Sequence, residues 1–186
     1  MQELGTKRLE TKRLILRRFS PDDAEDMYRN WASDPEVTRF LTWPCHASPE
    51  TTRVLLEQWD KRYEDGRVFN WAIESKEVRQ VIGSIAVGKI NEEIGSVEIG
   101  YCLSRMYWGQ GIMPETLIAV MGFLFNDVGI NRISAYHDVR NPKSGRVMEK
   151  AGMQYEGTLR QAKKNNLGIC DVAVYAALRS EWNKPE

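Results

Sequence analysis

Histidine and cysteine are scarce in this sequence, with two of the first and three of the second among 186 residues. Cys45, Cys102 and Cys170 are odd in number and widely spaced, which points to reduced thiols and away from a disulfide framework. With only His46 and His137 beside them, no metal site is expected. Charge of one sign is missing too: 26 Lys and Arg face 26 Asp and Glu, so no net field draws the chain to nucleic acid or an anionic membrane. No apolar run approaches a membrane span, and the charged start MQELGTKRLETKR has no apolar leader region. A cytoplasmic protein is expected. Repeats, linkers and low-complexity tracts are absent as well. The remaining composition, 42% hydrophobic and 28% charged, is globular, and the length suits one domain over residues 1–186.

The stretch from Val97 to Gly152 organises the rest. GSVEIGYCLS alternates Val97, Ile99, Tyr101 and Leu103 against Glu98, Gly100 and Cys102, as a strand with unlike faces does. YWGQGIMPE follows, where Gly109 and Gly111 let the backbone take positive φ and approach a ligand closely. Pro114 suits the first turn of a helix whose face is Leu117, Ile118, Met121 and Phe125. The turn therefore ends at a helix N-terminus, which offers unpaired N–H donors and a positive dipole end to a phosphate or pyrophosphate. A tight connection with no ligand is the other reading. Three phosphate or acyl motifs fail on the residues. No Gly-Lys-Ser/Thr follows for a Walker A loop, Pro114 stands where a dinucleotide fingerprint needs glycine, and Gln110 stands where an esterase elbow needs serine.

Around this stretch, RLILRRF reads as a strand, and Ser20-Pro21-Asp22-Asp23 starts a helix with Ala24, Met27, Tyr28 and Trp31 on its buried face. Asp34-Pro35 breaks it, and Phe40 to Ala47 reads as loop. Ser48-Pro49-Glu50 opens a second helix with apolar positions Val54, Leu55, Trp59 and Tyr63. Trp31 and Trp59 are expected in the core, and Trp43 is open between core and an acceptor pocket. FNWAIE and VIGSIAVGKI are strands of an antiparallel meander leading into the strand from Val97. Gly129 caps the central helix, RISAYHDV is a strand, and strand-helix-strand order in one sheet implies a parallel crossover. Asn141-Pro142 starts a helix closed by Gly152, and two strands joined by Asn165-Asn166-Leu167-Gly168 finish the chain.

The signposts TKRLILR, DPEV, WAI, VIGSI, VEIGYCL, YWGQG, NPKSGRVMEKAGM, YEGTLR and DVAVYAAL, in this order from about Thr11 to Trp182, resemble the GNAT superfamily of acetyl-CoA-dependent N-acetyltransferases, in its ribosomal-protein (RimJ/RimL-like) branch. The resemblance implies a single α+β domain with a mixed, central, splayed β-sheet flanked by helices. It places the pantetheine arm of acetyl-CoA in the splay, against the backbone of Tyr101, Cys102 and Leu103. The pyrophosphate falls to the loop Trp108, Gly109, Gln110, Gly111, Ile112 and Met113. Trp108 and Met113 depart from the family's Gln/Arg-x-x-Gly-x-Gly/Ala pattern, mildly, because main-chain donors do the work.

The resemblance also implies that Asn141 contacts the pantetheine and that the Ser144 hydroxyl lies near the sulfur. Asn141 is equally explained as a helix cap. Met148 stands where many superfamily members have a tyrosine acid, and methionine cannot donate a proton, so Ser144 is the candidate to protonate the leaving thiolate. Glu98 is the candidate base. Its parity puts it with Gly100 and Cys102 unless a β-bulge intervenes, and a solvent-facing carboxylate is the other reading. Lys163 is basic where some branch relatives carry a carboxylate. The implied acceptor is a primary amine, first a ribosomal-protein N-terminus, with a polyamine or amino antibiotic as rival. A non-catalytic acyl-CoA sensor is the rival from another class, and a homodimer is left open.

Overall fold

A computed structural model describes residues 1–182; the last four positions of the expected 1–186 domain lie outside them. Eight strands form one sheet in the order β1-β2-β3-β4-β5-β6-β8-β7. They are β1 (Leu9–Glu10), β2 (Leu14–Arg17), β3 (Asn70–Ser75), β4 (Gln80–Asn91), β5 (Ser96–Leu103), β6 (Arg132–Asp138), β7 (Gln154–Asn165) and β8 (Gly168–Leu178). Every neighbouring pair is antiparallel except β5 and β6, which run parallel as the crossover requires. The expected α+β class and mixed sheet hold. The two-residue β1, in the charged start of the chain, is an addition.

Helices cover both faces of the sheet. One layer holds α1 (Ala24–Met27), continued by a wider turn at Tyr28–Ala32, then α2 (Pro35–Thr38) and α3 (Pro49–Arg62). The other holds α4 (Ile112–Phe123) and α5 (Pro142–Lys150). Two cores result, because alternate residues of β3 point to opposite faces. Trp71 and Ile73 join Leu117, Val120 and Met121 of α4, whereas Ala72 joins Trp31 and Leu56.

Local signals mostly hold. The Ser20 hydroxyl accepts from the Asp22 N–H, Ser48 caps α3, and Gly129 and Gly152 are left-handed at φ 82° and 84°. Asp34 does more than end a helix, since its carboxylate caps α2. Val54 is a correction: it is exposed, and the buried stripe of α3 is Thr52, Leu56 and Tyr63, with Trp59 partly covered. Thr52 on this face meets the loop before the helix, its hydroxyl 2.8 Å from His46 Nδ1. Among the described residues no helix is long and apolar enough to cross a membrane.

Candidate active site

The site begins where two strands part. β5 and β6 pair only at Ser96↔Arg132, Val97↔Ile133 and Glu98↔Ser134. Beyond Glu98, β5 stays with β4 as far as Leu103, and β6 stays with β8 as far as Asp138. The β5 edge from Ile99 onward thus turns unpaired main chain into a wedge-shaped gap, a row of donors and acceptors able to hold an extended ligand. Of these groups the Leu103 carbonyl is taken, by the Trp108 indole N–H at 2.8 Å.

The glycine turn closes the wide end of that gap. Gly109 and Gly111 are left-handed at φ 77° and 75°, and Gly111 is the N-cap of α4, with no side chain bonded to the helix end. The first N–H groups of α4 are therefore free for an anion. Of the departures, Met113 is buried in the core, and Trp108 lies under Lys143, whose Nζ is 5.2 Å from the ring centroid. Gln110 alone of the named loop residues does not border the cleft. Its amide donates to the Met106 carbonyl at 2.8 Å, and its own carbonyl accepts from Arg13 Nη1 at 2.9 Å.

Arg13 was not foreseen. From the β1–β2 connection it also grips Glu115 in the first turn of α4, Nε to Oε2 at 2.7 Å, while Thr11 Oγ1 donates to Glu115 Oε1 at 2.6 Å. Arg13 thereby anchors the loop and offsets a carboxylate beside the anion site. The pairing holds the Glu115 carboxyl below its ordinary range despite the opposing effect of burial. Contacts across some hundred residues leave no periodic trace in a sequence.

The resulting cleft, about 700 Å³, is bordered by Tyr101, Cys102, Leu103, Trp108, Gly109, Gly111, Ile112, Met113, Asn141 and Ser144. Its rim is basic, with Arg39, Arg140, Lys143, Arg146 and Lys150. At its inner end Ser144, in the first turn of α5, meets Tyr101. The phenol lies 3.0 Å from both the main-chain carbonyl and the hydroxyl of Ser144. Burial pushes the Tyr101 phenol well above its ordinary range, so it stays a neutral donor. Sequence reading gave Tyr101 a backbone role only. Asn141 makes no side-chain cap bond to α5, so the cap reading does not occupy its amide. Met148 is buried in the core.

A second cavity of about 620 Å³ opens on the other face of β5 and meets the first at Phe40, Tyr101, Cys102, Asn141 and Ser144. Glu98 lines it, as its parity with Cys102 requires. The bulge lies in β4, at Gly88, where Val87 pairs with Ile99 and Lys89 with Glu98, so β5 keeps its alternation. Glu98 Oε2 is 3.6 Å from Lys163 Nζ, which itself sits 4.1 Å above the Tyr136 ring. Trp43 and Trp59 line this cavity too, and Trp59 additionally packs on Phe19 at 5.2 Å, so its expected core role is partial. Basic side chains outnumber acidic ones here, Arg62, Arg67, Lys163 and Lys164 against Glu98 and Asp138.

The hairpin tip β7–β8 reaches over the junction. Asn166 donates its side-chain amide to the Thr38 and Trp43 carbonyls, both at 2.8 Å, and its N–H to the Leu41 carbonyl at 3.1 Å. Cys102, which borders both cavities, has its sulfur 3.2 Å from Ser84 Oγ, and burial pushes its thiol up to about 11.

A splayed mixed sheet, a helix-capping glycine loop beyond the end of β5 and the Tyr101–Ser144 pair together form one cleft able to take an extended, anion-bearing ligand. The chain belongs to the GNAT acetyltransferases, for residues 13–154 match the family described as the Acetyltransferase (GNAT) domain. It is 32% identical to the uncharacterized N-acetyltransferase YoaA of Bacillus subtilis, over 92% of this chain and 96% of that one. The ribosomal-protein-serine acetyltransferase of Escherichia coli is 30% identical over 76% of this chain and 79% of its own. A GNAT-family acetyltransferase from Bacillus anthracis superposes with a TM-score of 0.82 at 26% identity, covering 94% of this chain and all of that one. The protein is an N-acetyltransferase.

Proposed function

We propose that acetyl-CoA occupies the first cavity and the N-terminal α-amine of a protein, a ribosomal protein first among them, enters the second, with one acetyltransferase domain whose core runs from about Thr11 to Trp182. The observation that carries this is the meeting of the two cavities at Tyr101, Cys102, Asn141 and Ser144. The free N–H groups of α4 and the basic rim suit the phosphates, and the open β5 edge suits the pantetheine amides. The amine nitrogen attacks the thioester carbon, the C–S bond breaks, and the thiolate takes a proton from the Ser144–Tyr101 pair. The ammonium loses its proton to solvent or Glu98, and solvent returns a proton to the Ser144–Tyr101 pair.

Direct attack is favoured because Cys102, the one thiol at the junction, is held protonated and is a poor nucleophile for an acyl-enzyme. The basic surplus of the second cavity disfavours a polyamine or aminoglycoside-like polycation. The ribosomal-protein relative supports a protein terminus as acceptor. Such an amine, with a pKa of about 7.7–8.0, is roughly one-tenth neutral at pH 7, and needs no strong base.

Initial rates of CoA release against short N-terminal peptides test this. Intersecting double-reciprocal lines and a 42-Da gain on the α-amine, by mass about one acetyl group, are expected. Parallel lines would replace direct attack by an acyl-enzyme, and acetyl-CoA binding without turnover on any amine would leave a sensor.

A further inference from the structure

Glu98 and Lys163 come from β5 and β7 and meet on the wall of the second cavity. Their 3.6 Å separation is longer than the roughly 2.7–2.9 Å of a charge-assisted hydrogen bond, so neither charge is satisfied by the other. Both side chains keep 27% of their surface exposed, and a loosely held pair within reach of solvent opens at little cost. Tyr136 would keep the Lys163 ammonium in place through such an exchange, because the ring holds it at 4.1 Å whether or not Glu98 is its partner.

We propose that this pair is a charge template for the acceptor: Glu98 receives the acceptor's amine, and Lys163 receives an anionic group on the same residue or the next. The substrate class is thereby narrowed to primary amines that carry a neighbouring carboxylate or phosphate. This rests on the reading of the second cavity as the acceptor site. A terminus whose second residue is Asp or Glu has this chemistry, and so does a free amino acid. On a substrate lacking the anion, Lys163 stays on Glu98 and competes with the incoming ammonium.

Steady-state acetylation of Ser-Asp-Ala-Ala, Ser-Asn-Ala-Ala and Ser-Lys-Ala-Ala, and of serine against serinamide, separates the possibilities. The Asp peptide is expected to exceed the Asn peptide by about tenfold in kcat/KM, with the Lys peptide lowest. Lys163→Gln should erase the Asp-over-Asn advantage, and Lys163→Glu should invert the Asp and Lys order. Equal rates for the Asp and Asn peptides on the unaltered protein would overturn the template and leave the N-terminal reading standing. Serine favoured over serinamide with all peptides inert would do the reverse. Inactivity on every compound would overturn both.

Discussion

Ser144 and Tyr101 share protons among three oxygens, two hydroxyls and the Ser144 carbonyl. When the phenol donates to the carbonyl, the serine hydroxyl can donate to the phenol or turn away from it, so in the proposed reaction the two count as one donor. Ser144→Ala is expected to lower kcat by about 10- to 100-fold and raise the acetyl-CoA KM far less. Tyr101→Phe should give a loss of similar direction, and an unchanged kcat in single-turnover kinetics would remove the pair from the chemistry. Glu98→Gln should cost less than about tenfold at pH 8, where roughly half of an α-amine is already neutral. A pH profile whose rising limb follows the substrate amine checks this; a thousandfold loss would instead mark Glu98 as the base for a lysine-like acceptor. The place of Ser144 and Asn141 at the start of α5 was legible from Asn141-Pro142, whereas the roles expected of them came from the family resemblance. The Tyr101 hydroxyl was not, since its partner lies 43 residues away and strand alternation says nothing of what faces a strand.

Helix α5 sits where it does because residue 145 has no side chain. A Cβ on Gly145 would come within 2.6 Å of His137 Nε2 on β6, and His137 is itself fixed by a 2.8 Å contact between Nδ1 and the Asp138 carbonyl. Gly145→Ala should therefore push the first turn of α5 outward, cost about 1–3 kcal/mol by overpacking, and displace Ser144. Thermal unfolding would show the first effect and kcat the second. Gly111→Val faces a different obstacle. The space is open, with Arg13 Nη2 at 3.6 Å, but φ 75° is strained for a β-branched residue, so the loop should reorganise. Calorimetry should find acetyl-CoA binding weakened in a folded variant, and unchanged affinity would take the loop out of the site. Elements of this kind read well from sequence when caps and glycines mark their ends. The face of α3 did not, because Val54 and Leu56 are equally apolar and only the packed layer decides between them.

At the scale of the molecule, Asp138 ties β6, the start of α5 and the β7–β8 hairpin together. Its carboxylate accepts from the Arg140 side chain at 2.6 Å, from the Arg140 N–H at 2.8 Å and from the Asn165 amide at 2.7 Å. The Arg140 side chain above all, then the Arg140 N–H and Asn165, hold the carboxyl far below the usual range although burial opposes them. A depressed folded-state pKa stabilises fully above the unfolded value of about 4 and fades as pH falls below it. Asp138→Asn is thus expected to lose about 1–3 kcal/mol at pH 7, with the gap in Tm from the unaltered protein narrowing below pH 4. A gap independent of pH would contradict this. The meander, the crossover and the final hairpin could be read from link lengths; the second cavity could not, because its walls come from the first loop, the middle strands and the last hairpin.

Asn166→Ala should raise the acceptor KM more than the acetyl-CoA KM, because it removes two of the three bonds that tie the hairpin tip to the loop at Thr38–Trp43. These bonds work as a clasp between the first loop and the last hairpin, segments more than a hundred residues apart that reach the two cavities together. A change at either end of the chain is therefore expected to be felt first in the second cavity, where both segments contribute wall.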